Sequence, residues 1–193
     1  MGRFGANPGT TPLDGPEAPA GLVHRYLYTY GPATPQHFAK WLAAPNSWAV
    51  SVFAERAGAI EEVAYEGVGP AWLVAGDTDF PAGAARGVRL LPYFDAFAIA
   101  SQPRERLFPG TAYARALAGG QAGNHPVLLI DGAVAGVWHQ RRSGRRIAVT
   151  VEPLSPLTAG QLRGLKEQVE RVGVVLEGKP ELTVGKVTVG PHA

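Results

Sequence analysis

The apolar residues of this chain change their repeat part-way along it, and that change limits the fold more than any other feature. Up to Gly58 they recur every three or four residues, whereas after Val127 they alternate one by one. The first period belongs to helices packed on one face and the second to strands half-buried in a sheet. The sequence therefore predicts an α+β protein, helices first and a mainly antiparallel β domain after them.

Leu22, Val23, Tyr26, Leu27 and Tyr30 form the first helical stripe, which stops at Gly31-Pro32. Thr34 is placed to cap a second helix with Pro35 at its first position, and Phe38, Trp41 and Leu42 supply its buried side before Pro45. A third helix is expected from Asn46 or Ser47, burying Trp48, Val52 and Phe53 and running out at Gly58. Ile60 to Tyr65 and Ala71 to Val74 read as strands joined by a Gly67-Val68-Gly69-Pro70 turn. Three short helices and then a hairpin are the order of a winged helix, a helix-turn-helix relative, assigned to residues 20–82. Residues 1–19 are rich in Gly, Pro and Thr without a periodic apolar pattern, and are expected to be a flexible leader.

Residues 84–190 are expected to form a β-rich, barrel-like domain. Val88 to Leu91 reads as a strand, followed by a turn at Pro92-Tyr93-Phe94-Asp95 and an apolar segment ending near Ser101. Val127 to Ile130, Val134 to His139, and the alternating Ile147, Val149 and Val151 form a three-stranded meander with turns at Asp131-Gly132 and Ser143-Gly144. Thr158 and Gln161 have capping-box spacing, and Leu162, Leu165, Val169 and Val172 line one side of a helix over residues 158–172. Arg163 with Glu167, and Lys166 with Glu170, are spaced to pair on its solvent side. A last strand is expected from Leu182 to Val189.

Composition narrows the function. With 46% apolar and 18% charged residues the chain is set to fold, and without cysteine it has no disulfide, thiolate zinc site or cysteine nucleophile. No stretch reaches the roughly 20 apolar residues of a membrane span, so a cytoplasmic protein without membrane contact is expected. The net charge of +2 hides an asymmetry: residues 1–83 hold four basic and eight acidic side chains, and residues 84–193 fourteen basic and eight acidic. An anionic partner would prefer the second half.

Two ordered blocks carry a family resemblance. His24-Arg25-Tyr26-Leu27-Tyr28-Thr29-Tyr30-Gly31-Pro32-Ala33-Thr34-Pro35-Gln36-His37-Phe38-Ala39 is similar to the "RYL-x-x-YGPAT-x-x-DFA" signature of the bacterial winged helix DNA-binding domain family. Arg89-Leu90-Leu91-Pro92-Tyr93-Phe94-Asp95 resembles its "LLP-x-FD" element, and Val127 to Trp138 its "V-x-x-DG-x-x-x-G-x-W" hairpin. The matches span roughly residues 20–175. That family includes the AlkZ-like DNA glycosylases, which excise alkylated bases and unhook interstrand cross-links. The resemblance implies tandem winged helices followed by a β-barrel-like domain. Family members are about twice as long, with a glutamine-based catalytic motif in the additional N-terminal part. Gln36, Gln102, Gln121, Gln140, Gln161 and Gln168 form no Gln-x-Gln or Gln-x-Asp pair, so no catalytic residue carries over.

The most suggestive cluster is His139-Gln140-Arg141-Arg142-Ser143-Gly144-Arg145-Arg146, four arginines around a hairpin tip where they could straddle a phosphate backbone. The alternative is a charged, solvated turn that keeps a sheet edge soluble. The third helix carries few groups that read bases, which suits a scaffold with Arg56, Lys40 and Arg25 as secondary phosphate contacts. Asp77 and Asp79 are an ordinary polar loop before they are a metal pair, and Asp95 is a turn or cap residue before it is an acid. The five histidines, at 24, 37, 125, 139 and 192, lack zinc-helix spacing, and His24 and His37 read as helix-face residues. No phosphate-binding loop, Gly-x-Gly-x-x-Gly turn or nucleophile elbow is present, so neither cofactor nor metal is expected. The leading expectation is a truncated relative of these glycosylases that binds duplex DNA through backbone contacts and does not catalyse. Its rivals are a glycosylase acting on alkylated or cross-linked DNA, and an interaction module that pairs with a partner chain.

Overall fold

The computed structural model describes residues 15, 17–79, 83, 85–117 and 119–191. The chain divides into two compact units, residues 1–80 and 81–193. Most of the expected leader lies outside the described residues, but its last three belong to a helix.

The first unit is built on α1 (Glu17–Tyr30), α2 (Pro35–Leu42), α3 (Asn46–Ala54) and the antiparallel hairpin β1 (Ile60–Tyr65) and β2 (Gly69–Val74). Thr34 caps α2: its hydroxyl accepts from His37 N at 3.2 Å, while His37 Nδ1 accepts from Thr34 N at 3.3 Å. His37 thus fills the place a capping-box Glu or Gln would take, a role the helix-face reading missed. Ala43, in the left-handed region at φ 53°, ends α2 ahead of Pro45. α3 stops at Ala54, four residues before Gly58, with a turn between. The core collects Val23, Tyr26, Leu27, Phe38, Val52 and Phe53, and an aromatic chain runs from Tyr30 through Tyr26 and Phe38 to Phe53 and Trp72. Ala33 pairs with Trp72 through two backbone hydrogen bonds of 3.0 and 2.9 Å, tying the α1–α2 connection to β2.

The second unit contains β3 (Val88–Leu91), the short helices α4 (Ala96–Ala100), α5 (Arg104–Leu107) and α6 (Thr111–Ala116), and then β4 (Val127–Ile130), β5 (Ala133–Ser143), β6 (Arg146–Pro153), α7 (Ala159–Val175) and β7 (Lys179–Val184). Asp95 is a helix cap, its carboxylate accepting from Phe97 N and Ala98 N at 3.0 and 3.2 Å. Arg104 is buried and donates to the Ala98 and Ile99 carbonyls at the end of α4, and burial pushes its guanidinium below its ordinary value. Asp131 and Gly132, at φ 51° and 85°, turn β4 into β5, as the two-residue turn with positive φ at both positions requires. Gly144, at φ 58°, takes the first central position of the β5–β6 turn.

The five strands run in the order β3-β4-β5-β6-β7. Four are antiparallel neighbours, but β7 lies parallel to β6. This corrects the expected last strand, which runs over Lys179–Val184 rather than from Leu182 to Val189 and makes the sheet mixed. The physical reason is the connection: α7 is long enough to carry the chain back to the starting edge, as a parallel pairing needs. β3 and β7 are the edges, so the barrel closure expected for residues 84–190 is not seen among the described residues. One face packs Leu128, Trp138, Ile147, Val149 and Val151 under Leu165 and Val169 of α7. The other packs Val127, Val134 and Val137 against Leu107, Phe108, Ala112 and Ala116. Thr158 and Gln161 form the expected capping box. The pairs Arg163–Glu167 and Lys166–Glu170 are not closed; exposed pairs of this kind gain only about 0.3–0.5 kcal/mol. No helix among the described residues is long and apolar enough to cross a membrane.

Candidate nucleic-acid interface

The β5–β6 hairpin carries its charge at the far end. Neighbouring side chains of a strand leave on opposite faces, so His139 and Arg141 lie on one side of β5, and Gln140 and Arg142 on the other. The second face is the one α7 covers, because Ile147 and Val149, opposite Arg142 and Gln140, are fully buried there.

The arginines therefore divide by task. Arg142 Nη1 donates to the Leu176 carbonyl at 2.7 Å and its Nε to Gly144 O at 2.9 Å. Leu176 caps α7, so this cation sits at the negative end of the helix dipole and holds hairpin and helix together. Arg146 pairs with Glu181 at 2.5 Å across the parallel β6–β7 contact, with both side chains more than half exposed. Arg141 and Arg145 are exposed and make no hydrogen bond or ion pair among the described residues. Lys179 joins them: it lies opposite Arg146 in the β6–β7 register, and its backbone N donates to Arg145 O at 2.6 Å. The sequence reading missed Lys179, since only the parallel return of β7 brings it beside the hairpin. Ser143, Arg145, Arg146, Lys179 and Glu181 line a shallow depression at this corner.

Not every expected residue joins this edge. Gln140 turns inward, its buried Oε1 without a hydrogen-bond partner, and His139 Nδ1 is likewise buried and unpartnered. Arg25 on α1, Lys40 in the last turn of α2 and Arg56 after α3 belong to the other unit, on three different elements. Arg25 and Lys40 are exposed, while Arg56 is half-buried with its Nε unpartnered. Among the described residues no three His, Asp or Glu side chains converge on a metal-sized site.

An exposed Arg-Lys edge on a mixed sheet suits a polyanion, and the comparisons with known proteins say which kind of protein carries it. The sequence model of the family described as DNA glycosylase AlkZ-like matches residues 4–174. The chain belongs to the AlkZ-like DNA glycosylase family. An interstrand DNA cross-link repair glycosylase of Streptomyces sahachiroi is 29% identical over 140 residues, which are 70% of this chain and 38% of that protein. The solved structure of Streptomyces sahachiroi DNA glycosylase AlkZ superposes with a TM-score of 0.71 at 24% identity, covering 95% of this chain and 49% of that one. At that identity the structural match speaks for the fold. This AlkZ-like chain spans less than half the length of either relative. Membership shows relatedness to DNA repair glycosylases.

Proposed function

We propose that this AlkZ-like chain acts in DNA repair as a glycosylase on alkylated or cross-linked duplex DNA; interstrand cross-links are what its Streptomyces relative's name states. Residues 20–82 serve as a winged helix, and residues 84–190 grip the duplex backbone through the end of the β5–β6 hairpin. The observation that carries this reading is the exposed edge formed by Arg141, Arg145 and Lys179 in a chain of a DNA glycosylase family. Unpaired cations at a projecting tip gain most from phosphates, because each contact releases condensed counterions.

The test is excision. A labelled duplex with a single interstrand alkyl cross-link is incubated with the protein, and unhooked strands and abasic sites are counted against a no-enzyme control. Enzyme-dependent unhooking supports the reading; a duplex that is bound but stays cross-linked and free of abasic sites overturns it.

A further inference from the structure

The apolar side of α3 is wider than its own core uses. Ala49, Val52 and Phe53 are buried, yet the apolar surface continues round the helix to Val50, 47% exposed, and to exposed Ala54, and the helix carries no charged residue. One face of the hairpin extends that surface through its cross-strand pairs, Ile60 with Val74, Glu62 with Trp72 and Ala64 with Pro70. A cleft of about 670 Å³ lies between helix and hairpin, lined mainly by Val50, Phe53, Ala54, Ile60, Pro70 and Trp72. Glu62 is the one charged side chain in its lining among the described residues, and it makes no hydrogen bond or ion pair among them. An open apolar surface with a charged group on its wall is the signature of an association site.

The complementary surface is carried by this same chain, at the end of α7. Val174 and Val175 are 78% and 70% exposed. Arg171 precedes them by three and four positions on the same helix face, exposed and without a hydrogen bond or ion pair among the described residues. Residues 171–179 carry Arg171 and Lys179 against Glu177 alone, whereas residues 1–83 hold eight acidic and four basic side chains. Two projecting valines with a cation beside them match an open apolar cleft with a carboxylate on its wall. We propose that the end of α7 of one copy docks in the α3–hairpin cleft of a second copy, Val174 and Val175 entering between Val50 and Trp72 and Arg171 meeting Glu62. Burial of the valines supplies the attraction, and the charge pair fixes orientation more than it adds affinity. The docking surfaces differ, so the contact runs head to tail and repeats from copy to copy, closing a ring or extending a chain. Two valines and one ion pair make a small contact, of the weak, concentration-dependent class. Nothing in it rests on DNA binding or excision.

Sedimentation equilibrium of the full chain without DNA, over a dilution series reaching millimolar concentration, reads the contact. The mean mass should rise with concentration beyond that of one chain. Val50→Arg sets a cation in the cleft against Arg171, and Val174→Glu/Val175→Glu sets carboxylates against Glu62; each should weaken self-association at least about tenfold. Each variant keeps the face that the other has lost. Mixed in equal amounts they should associate again, because the intact α7 end of the first fits the intact cleft of the second. The substituted positions are exposed, so the fold should survive, as thermal unfolding checks. Ala54→Arg and Arg171→Glu, also at exposed positions, repeat the two tests should either variant not fold. The proposal is overturned if the parent stays monomeric throughout, if the folded variants associate as the parent does, or if the mixture associates no more than its components.

Discussion

Arg115 and Glu152 are joined as a two-pronged pair, Nε to Oε1 at 3.0 Å and Nη2 to Oε2 at 2.9 Å, and together they hold a third element. Arg115 Nη2 also donates to Val187 O at 2.9 Å, and Val187 N donates to Glu152 Oε2 at 2.7 Å. One clamp therefore fastens α6, β6 and the segment after β7, where the Val187 side chain is buried with Phe108 and Val137. The Arg115 hydrogen bond, ahead of the Val187 backbone bond, holds the Glu152 carboxyl below its ordinary value. A carboxyl with a lowered folded pKa contributes stability above its unfolded value, about 4.3, and that contribution is lost as pH falls through the folded value. Glu152→Gln should cost about 2 kcal/mol at neutral pH and flatten the acid side of the stability profile. Urea unfolding between pH 7 and pH 3 measures both; a variant as acid-sensitive as the parent would assign the acid loss elsewhere.

Gly136 lies where β5 crosses close to the start of that clamp. A Cβ there would sit 2.3 Å from Glu152 O and 3.1 Å from Pro153 Cα, both backbone atoms that cannot swing away. Gly136→Ala should destabilise by about 1–3 kcal/mol, the usual cost of overfilling a packed site. Thermal unfolding reads it, and a midpoint equal to the parent's would mean that the two strands separate freely.

The parts of the fold written in local chemistry were legible. Thr34 and Thr158 caps, the Asp131-Gly132 turn and the Val127–Val151 alternation each depend on residues within a few positions of one another. What could not be read is non-local. Nothing near Lys179 signals that β7 returns parallel to β6, because that follows from where α7 delivers the chain. The same limit split the arginine cluster: the sequence shows four equivalent cations, yet Arg142 is taken by a carbonyl 34 positions away and Arg146 by a carboxylate 35 positions away. His37 as a cap partner was within reach, but the rule followed there asks for Glu or Gln.

Tyr26 sits at the centre of the aromatic core with its hydroxyl buried and unpartnered, and burial pushes its phenol up from the ordinary value. A group with a raised folded pKa gives stability that is intact below its unfolded value, about 10, and lost as pH rises beyond it. Tyr26→Phe removes the orphan and keeps the ring contacts with Phe38 and Trp41, so stability should stay level or rise by up to about 1 kcal/mol, and alkaline loss should lessen. Phe38→Ala, by contrast, should cost about 3–5 kcal/mol. Denaturant midpoints at pH 7 and pH 11 compare them; a marked loss in Tyr26→Phe would show that the hydroxyl has a bonding role.

The division among the hairpin arginines separates DNA affinity from stability. Arg141 and Arg145 are exposed and unpaired, so alanine at both should leave the thermal midpoint within about 0.5 kcal/mol of the parent. If each neutralises one phosphate, the double variant should bind duplex more weakly, and the slope of log affinity against log salt should fall by about two. Arg142→Ala should behave the other way. It frees the Leu176 carbonyl at the end of α7, costing about 1 kcal/mol of stability while leaving the salt slope nearly unchanged. Arg146→Ala breaks an exposed pair of small worth, and releases Glu181 as an unbalanced negative charge beside Lys179, so it should weaken binding beyond the loss of one cation. Fluorescence anisotropy over a salt series, alongside thermal unfolding of each variant, tests all of these. If the Arg141→Ala/Arg145→Ala variant binds with the parent's affinity and slope, the hairpin tip is a solvated turn and the duplex is held elsewhere.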